Sequence, residues 1–126
     1  MKTIHTDSAP AAVGPYSQAV VAGDVLYCSG QIPLDPASGE IVEGGVPAQT
    51  KQVLENLKAV VTAAGTDLSK AAKITIYITD MAQFATVNEI YARYFSEPFP
   101  ARACVEVSKL PKGVEVEMDA IVYLGQ

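Results

Sequence analysis

The sequence predicts an α+β domain in which one mixed sheet carries two helices on its apolar face. Three observations support this class: period-two alternation in several short segments, two segments whose apolar residues have helical spacing, and the order of these elements, ββαβαββ. A chain of 126 residues has the length of one domain, so we treat residues 1–126 as a single unit.

A β-hairpin is predicted near the N-terminus. Residues 18–22 and 25–29 are rich in β-forming residues and are separated by Gly23-Asp24, which is typical of a two-residue turn. The following residues, 30–47, contain a cluster of prolines and glycines and are predicted to form an irregular loop.

Two amphipathic helices follow. Pro47 is predicted to begin the first helix and Gly65 to end it. The second is predicted to begin at Asp80, with Gln83 completing a start similar to a capping box, and to stop before Pro98. The apolar stripes of the two helices are Val53, Leu54, Leu57, Val60, Val61 and Ala64 in the first, and Phe84, Val87, Tyr91, Tyr94 and Phe95 in the second.

Alternation predicts three further strands, at residues 73–79, 101–108 and 115–123. In each strand an apolar face is expected, formed by Ile74, Ile76 and Ile78, by Ala103, Val105 and Val107, and by Val116, Met118, Ala120 and Val122. The opposite faces of the last two strands carry Arg102, Cys104 and Glu106, and Glu115, Glu117 and Asp119.

The last two strands are not expected to form a tight hairpin. Such a hairpin would place Glu106 opposite Glu117, and two like charges in that position are destabilising by about 0.2–1 kcal/mol. We therefore expect a crossover that places the last strand elsewhere in the sheet.

Composition excludes several functional classes. Nine basic and fourteen acidic residues give a net charge of −5, which argues against nucleic acid as a partner. The single histidine, His5, excludes catalytic triads and zinc sites that need several imidazoles within one chain. No glycine-rich phosphate-binding motif is present, so we expect no nucleotide cofactor. Charged residues make up only 18%, below the usual proportion, which favours a homo-oligomer.

The sequence also predicts a cytoplasmic protein with no membrane partner. Residues 1–10 contain no apolar stretch typical of a secretory signal, and no run approaches the length of a membrane span. The two cysteines, Cys28 and Cys104, are too few for a disulfide framework, which is typical of a reducing compartment.

Few residues could carry chemistry. Only Arg93 and Arg102 offer a guanidinium that could bind a carboxylate, and Arg102, at the start of a strand, could form either a structural ion pair or a ligand clamp. Cys104 is more typical of a small buried residue than of a nucleophile. Glu117 could be solvated or lie at a subunit interface.

Three motifs stand out in the sequence. They are Gly14-Pro15-Tyr16-Ser17-Gln18, Ser29-Gly30-Gln31-Ile32-Pro33, and Pro100-Ala101-Arg102-Ala103-Cys104-Val105-Glu106-Val107-Ser108-Lys109-Leu110, followed by Val116-Glu117-Met118. They resemble the motifs of the reactive intermediate deaminase (Rid, or RidA/YjgF) family and occur in that family's order. The resemblance covers essentially the whole chain. It implies a chorismate-mutase-like fold whose last strand is inserted next to the first, assembled as a homotrimer with its sites in clefts between subunits.

The resemblance also implies an activity: hydrolysis of 2-imino acids and their enamines, such as 2-aminoacrylate, 2-iminobutanoate and 2-iminopropanoate, to 2-oxo acids and ammonia, with no cofactor or metal. Arg102 would grip the substrate carboxylate with the backbone N–H of Cys104 as a further donor, and Glu117 would polarise a water at the imine carbon. Further contacts would come from Gly30, Tyr16 and Asn88.

Two other functions remain open. A non-catalytic sensor of 2-oxo acids would use the same Arg102 clamp without turnover. A ribonuclease or translation inhibitor, a label attached to some relatives, is disfavoured by the net charge of −5 and the presence of only two arginines.

Overall fold

One mixed sheet of six strands runs through the protein, whose computed structural model describes residues 1–125. The strands are β1 (Lys2–Ile4), β2 (Ala19–Ala22), β3 (Val25–Gln31), β4 (Ala71–Ile78), β5 (Ala101–Glu106) and β6 (Val116–Tyr123). They lie in the order β1-β2-β3-β6-β4-β5, with β4 and β5 parallel and every other neighbouring pair antiparallel. β5 is therefore an edge strand that pairs with β4 only.

Two helices, α1 (Gly45–Ala63) and α2 (Phe84–Tyr91), cover one face of this sheet. The predicted stripe of α1 is confirmed, because all its residues except Ala64 are completely buried. They pack with the inward-facing residues of the central strands, which include Leu26, Ile74, Ile76, Ile78, Met118 and Val122. The predicted α+β class, with one mixed sheet and two helices, is thus confirmed.

The second helix is shorter than predicted. The Asp80 carboxylate accepts a hydrogen bond from the Ala82 N–H at 3.0 Å and caps a short 3-10 turn, Met81–Gln83, so no capping box forms. α2 ends at Tyr91, and a turn through residues 92–94 follows well before Pro98.

The predicted opening hairpin is confirmed, with Ala22 paired to Val25 around the two-residue turn. Gly23 has φ 62 there, in the left-handed region that glycine adopts easily. The predicted order ββαβαββ omitted β1, which precedes the hairpin and pairs with β2. Three residues are too few for alternation to be recognised in a sequence.

The last strand is not hairpinned to its predecessor, as the repulsion between Glu106 and Glu117 predicted, and β5 pairs with β4 instead. The expectation that the last strand lies next to the first is wrong. β6 lies between β3 and β4, because the free side of β2 is taken by β1 and only β3 offers an open edge to it.

The helix-covered face of β5 is not the apolar one that alternation suggested. Arg102 pairs with Ile74 and Cys104 with Ile76, and directly paired residues share a face, so both side chains lie on the helix side. Val105 lies on the opposite face and is 42% exposed. At this edge Arg102 lies against side chains of α2 and stays exposed, whereas Cys104 packs against the core, so the helix side of β5 carries a polar side chain at its margin.

The face away from the helices exposes three large side chains, Tyr27, Val105 and Tyr123. We keep the prediction that further subunits cover this face. Within residues 1–125, neither helix is long and apolar enough to cross a membrane.

Candidate functional site

Arg102 is held by side chains of α2. Its guanidinium donates a hydrogen bond of 2.6 Å from Nη1 to the Oδ1 of Asn88. Its Cζ lies 4.9 Å from the ring centroid of Tyr91 and 5.5 Å from that of Phe84. Residues spaced by four and then three positions project from the same side of a helix, so α2 presents the amide and both rings to one guanidinium.

The charge of Arg102 is not neutralised within the chain. No Asp or Glu among residues 1–125 forms a salt bridge with it, so the structural ion pair considered above is wrong. One of the five guanidinium N–H groups is used by Asn88. A cavity of about 470 Å³ opens beside the guanidinium, lined by Asn88, Tyr91, Ala92, Phe99, Pro100 and Arg102. An anion entering this cavity would find an unpaired cation.

The backbone of Cys104 lies along the same open edge. The N–H of Val107 bonds to the carbonyl of Ile78 at 2.8 Å, on the β4 side. N–H groups alternate in direction along a strand, so the N–H of Cys104, three residues earlier, points to the unpaired edge. It is thus available to a ligand held by Arg102.

The surroundings of both thiols disfavour the thiolate form. Burial raises the pKa of Cys104, and the nearby Arg102 opposes that shift only in part. Burial, and then the charge of Asp119, raise the pKa of Cys28 to about 12. Both thiols therefore remain protonated at neutral pH, which agrees with the expectation that Cys104 acts through its backbone.

Glu117, Gly30 and Tyr16 line a second cavity, of about 600 Å³. β3 and β6 are neighbours, and a register shift places Ser29 and Gly30 between the paired positions Cys28 and Gln31. A side chain on Gly30 would collide with the carboxylate of Glu117. Only glycine leaves this carboxylate its place against the β3 backbone.

Buried amides fix the loops around this cavity. The Gln18 side chain donates to the carbonyl of Pro10 at 2.8 Å and accepts from the N–H of Thr6 at 2.7 Å, which anchors the segment that carries Tyr16. Asn56 of α1 donates to the carbonyls of Ile32 and Leu34, at 3.1 and 3.0 Å. The walls are therefore held by hydrogen bonds within the chain.

The carboxylate of Glu117 is half-buried, and burial, followed by the charge of Asp119, raises its pKa. Asp119 accepts a hydrogen bond from the hydroxyl of Tyr77 at 2.9 Å. A carboxylate with a raised pKa is a stronger base than an exposed one, which suits it to hold and polarise water.

Arg102 and Glu117 point to opposite faces of the sheet within one chain. Arg102 pairs with Ile74 on the helix side, whereas Glu117 pairs with Tyr77, one of the alternate residues of β4 that face away from the helices. The structure brings Arg102, Asn88 and the edge of Cys104 together as one group, which we call the arginine half-site. Tyr16, Gly30 and Glu117 form the other, the glutamate half-site.

Sequence reasoning missed three residues at these half-sites. Tyr91 and Phe84 were assigned to an apolar helix stripe, although their spacing from Asn88 placed them on its side of the helix. Lys112, which lines the glutamate cavity, lies in a left-handed backbone conformation at φ 59 that its residue type did not indicate.

Fold and geometry together define an α+β domain with an unpaired arginine at one sheet edge and a carboxylate-bearing cavity on the other side. The chain matches the family model described as Endoribonuclease L-PSP over residues 6–124. It therefore belongs to this family, the RidA/YjgF family, as its three motifs indicated.

Relatives with known names and structures agree with this assignment. The 2-iminobutanoate/2-iminopropanoate deaminase of Mus musculus is 50% identical over 124 residues, which are 98% of this chain and 92% of the mouse protein. A crystal structure of a putative endoribonuclease from Thermotoga maritima has a TM-score of 0.97 and 48% identity, covering 100% of this chain and 99% of that one. RidA from an Antarctic Psychrobacter has a TM-score of 0.94 and 50% identity, covering 98% and 99%.

Proposed function

We propose that this protein hydrolyses reactive 2-imino acids to 2-oxo acids and ammonia. The observation that carries the proposal is the state of Arg102: an amide and two aromatic rings hold its guanidinium, no Asp or Glu among residues 1–125 neutralises it, and it faces a cavity. This is what recognition of a small organic acid requires. The name of the mouse relative supports an imino acid as that small acid.

In the proposed reaction, Arg102 binds the substrate carboxylate through two parallel N–H···O bonds, and the N–H of Cys104 donates a third. Water held by Glu117 attacks the imine carbon. Its oxygen bonds to that carbon, Glu117 accepts a proton from the water, and the electron pair of the C=N bond moves to nitrogen, which then takes this proton from Glu117. The carbinolamine then loses ammonia as its hydroxyl proton leaves and the C=O bond forms. One water is consumed, and positioning alone can supply much of the acceleration.

The reaction needs both half-sites, and they lie on opposite faces of one sheet. We therefore include assembly in the proposal: the arginine half-site of one copy meets the glutamate half-site of its neighbour. A closed ring of three copies, with the exposed Tyr27, Val105 and Tyr123 buried inside, would form three such sites. The proposed compartment is the cytoplasm, in keeping with two free cysteines.

A serine or threonine dehydratase that generates the imine in the cuvette provides the test. Adding this protein should accelerate release of the 2-oxo acid, and Arg102→Ala should abolish the acceleration. Unchanged rates together with tight binding of 2-oxobutanoate would contradict the proposal and favour the sensor.

The family description names an endoribonuclease, so RNA is the necessary control. A net charge of −5 opposes binding to a phosphate backbone. The proposed substrate class would be overturned if the protein cleaved RNA, Arg102→Ala abolished this cleavage, and the wild-type protein did not accelerate imine hydrolysis.

A further inference from the structure

Two aromatic rings at the arginine half-site have no part in the proposed reaction. We propose that Tyr91 and Phe84 are positioning residues: their rings hold the Arg102 guanidinium in the pose that binds the substrate carboxylate, and so set the affinity of the site. This inference rests on the proposed function, because it takes a carboxylate as the ligand of Arg102.

The rings hold a cation without neutralising it. A carboxylate partner would compete with the substrate for the guanidinium N–H groups, whereas a ring face attracts the cation and accepts none of its in-plane N–H bonds. With the Tyr91 centroid at 4.9 Å and the Phe84 centroid at 5.5 Å, both rings are within cation–π distance. Asn88 fixes one N–H, and the rings restrict rotation about that single bond.

Tyr91 is itself tightly packed. It is only 5% exposed, and Phe95 stacks against it with ring centroids 4.4 Å apart. A ring fixed in this way transmits the position of α2 to the guanidinium at the strand edge. Arg102 is otherwise a long side chain on an edge strand, with many rotamers to lose on binding.

The hydroxyl of Tyr91 does not explain the presence of this residue. It is buried and has no hydrogen-bond partner among residues 1–125, which is unfavourable for a phenol. If the ring alone is required, removal of the hydroxyl should leave binding intact and stabilise the fold. Tyr91→Phe and Tyr91→Leu therefore separate the two parts of the side chain.

The experiment measures the Kd of 2-oxobutanoate by calorimetry, KM and kcat in the dehydratase assay, and the melting temperature. Tyr91→Leu should weaken binding about 2- to 30-fold, the loss of one cation–π contact, and should raise KM with kcat nearly unchanged. Tyr91→Phe should bind as the wild type does and melt at a higher temperature. Phe84→Leu, the second variant, should weaken binding in the same range.

Tyr94→Leu is the matched control, since Tyr94 lies just beyond α2 and bonds to Glu55 rather than to Arg102. It should leave the Kd unchanged. Wild-type affinity in both Leu variants would overturn the inference alone, as would a loss in Tyr91→Phe equal to that in Tyr91→Leu. Absence of both binding and turnover in the wild type would overturn the proposed function as well.

Discussion

Replacing Arg102 by lysine keeps the positive charge and removes the planar set of N–H donors of the guanidinium. The guanidinium bonds to Asn88 and has further N–H groups in one plane for a carboxylate, whereas an ammonium has three donors on one atom. If one of these stays with Asn88, the ammonium cannot form two parallel bonds to a carboxylate, and one charge-assisted bond is lost. One charge-assisted hydrogen bond contributes about 1.5–3 kcal/mol, so kcat/KM should fall by about 10- to 150-fold.

The dehydratase-coupled assay measures this change, with calorimetry of 2-oxobutanoate as an independent readout. Arg93→Lys is the matched control, because the chain has only two arginines and Arg93 makes one exposed contact, with Glu89 at 3.5 Å. Exposed pairs contribute about 0–1 kcal/mol, so Arg93→Lys should behave as the wild type does. A fully active Arg102→Lys variant would refute the argument for two-point carboxylate binding.

Four further predictions concern the glutamate half-site. Burial and Asp119 raise the pKa of Glu117 above its ordinary 4.5, so kcat should begin to fall on acidification at a pH above that value. Asp119→Asn should move this decline in kcat to lower pH. A pH profile that does not move would contradict the role of Asp119. The raised pKa also means that ionised Glu117 destabilises the fold. Urea unfolding should therefore show Glu117→Gln to be more stable than the wild type, and this difference should appear as the pH rises through the raised pKa. Gly30→Ala should lower kcat about 10- to 100-fold by displacing the Glu117 carboxylate, with little change in melting temperature; wild-type kcat would show that the carboxylate position is unimportant. Lys112→Gly should raise the free energy of unfolding by up to about 1 kcal/mol, because a backbone φ of 59 is less favourable for lysine than for glycine. A clear decrease in the free energy of unfolding, measured in urea, would exclude that strain.

Local patterns predicted much of the fold. The stripe of α1, from Val53 to Val61, is buried as its spacing indicated, and the Gly23-Asp24 turn joins β2 to β3. Repulsion between Glu106 and Glu117 correctly excluded a terminal hairpin. Each of these inferences needed only residues that are close in sequence or in one hypothetical pair.

Features that depend on distant partners could not be predicted. The place of β6 depends on which strand edges remain open after β1 pairs, and β1 is too short to be predicted from alternation. The helix-side orientation of Arg102 depends on the register between β5 and β4. The motifs indicated candidate site residues, but only the register showed that Arg102 and Glu117 face opposite ways.

Mixing two inactive variants tests most directly whether neighbouring copies share each site. Arg102→Ala and Glu117→Gln chains with different tags are co-expressed, and oligomers that carry both tags are isolated. In a ring of three copies that contains both variants, one of the three interfaces joins an intact arginine half-site to an intact glutamate half-site, so activity near a third of the wild type should return. Mixed oligomers as inactive as either parent would contradict the shared site.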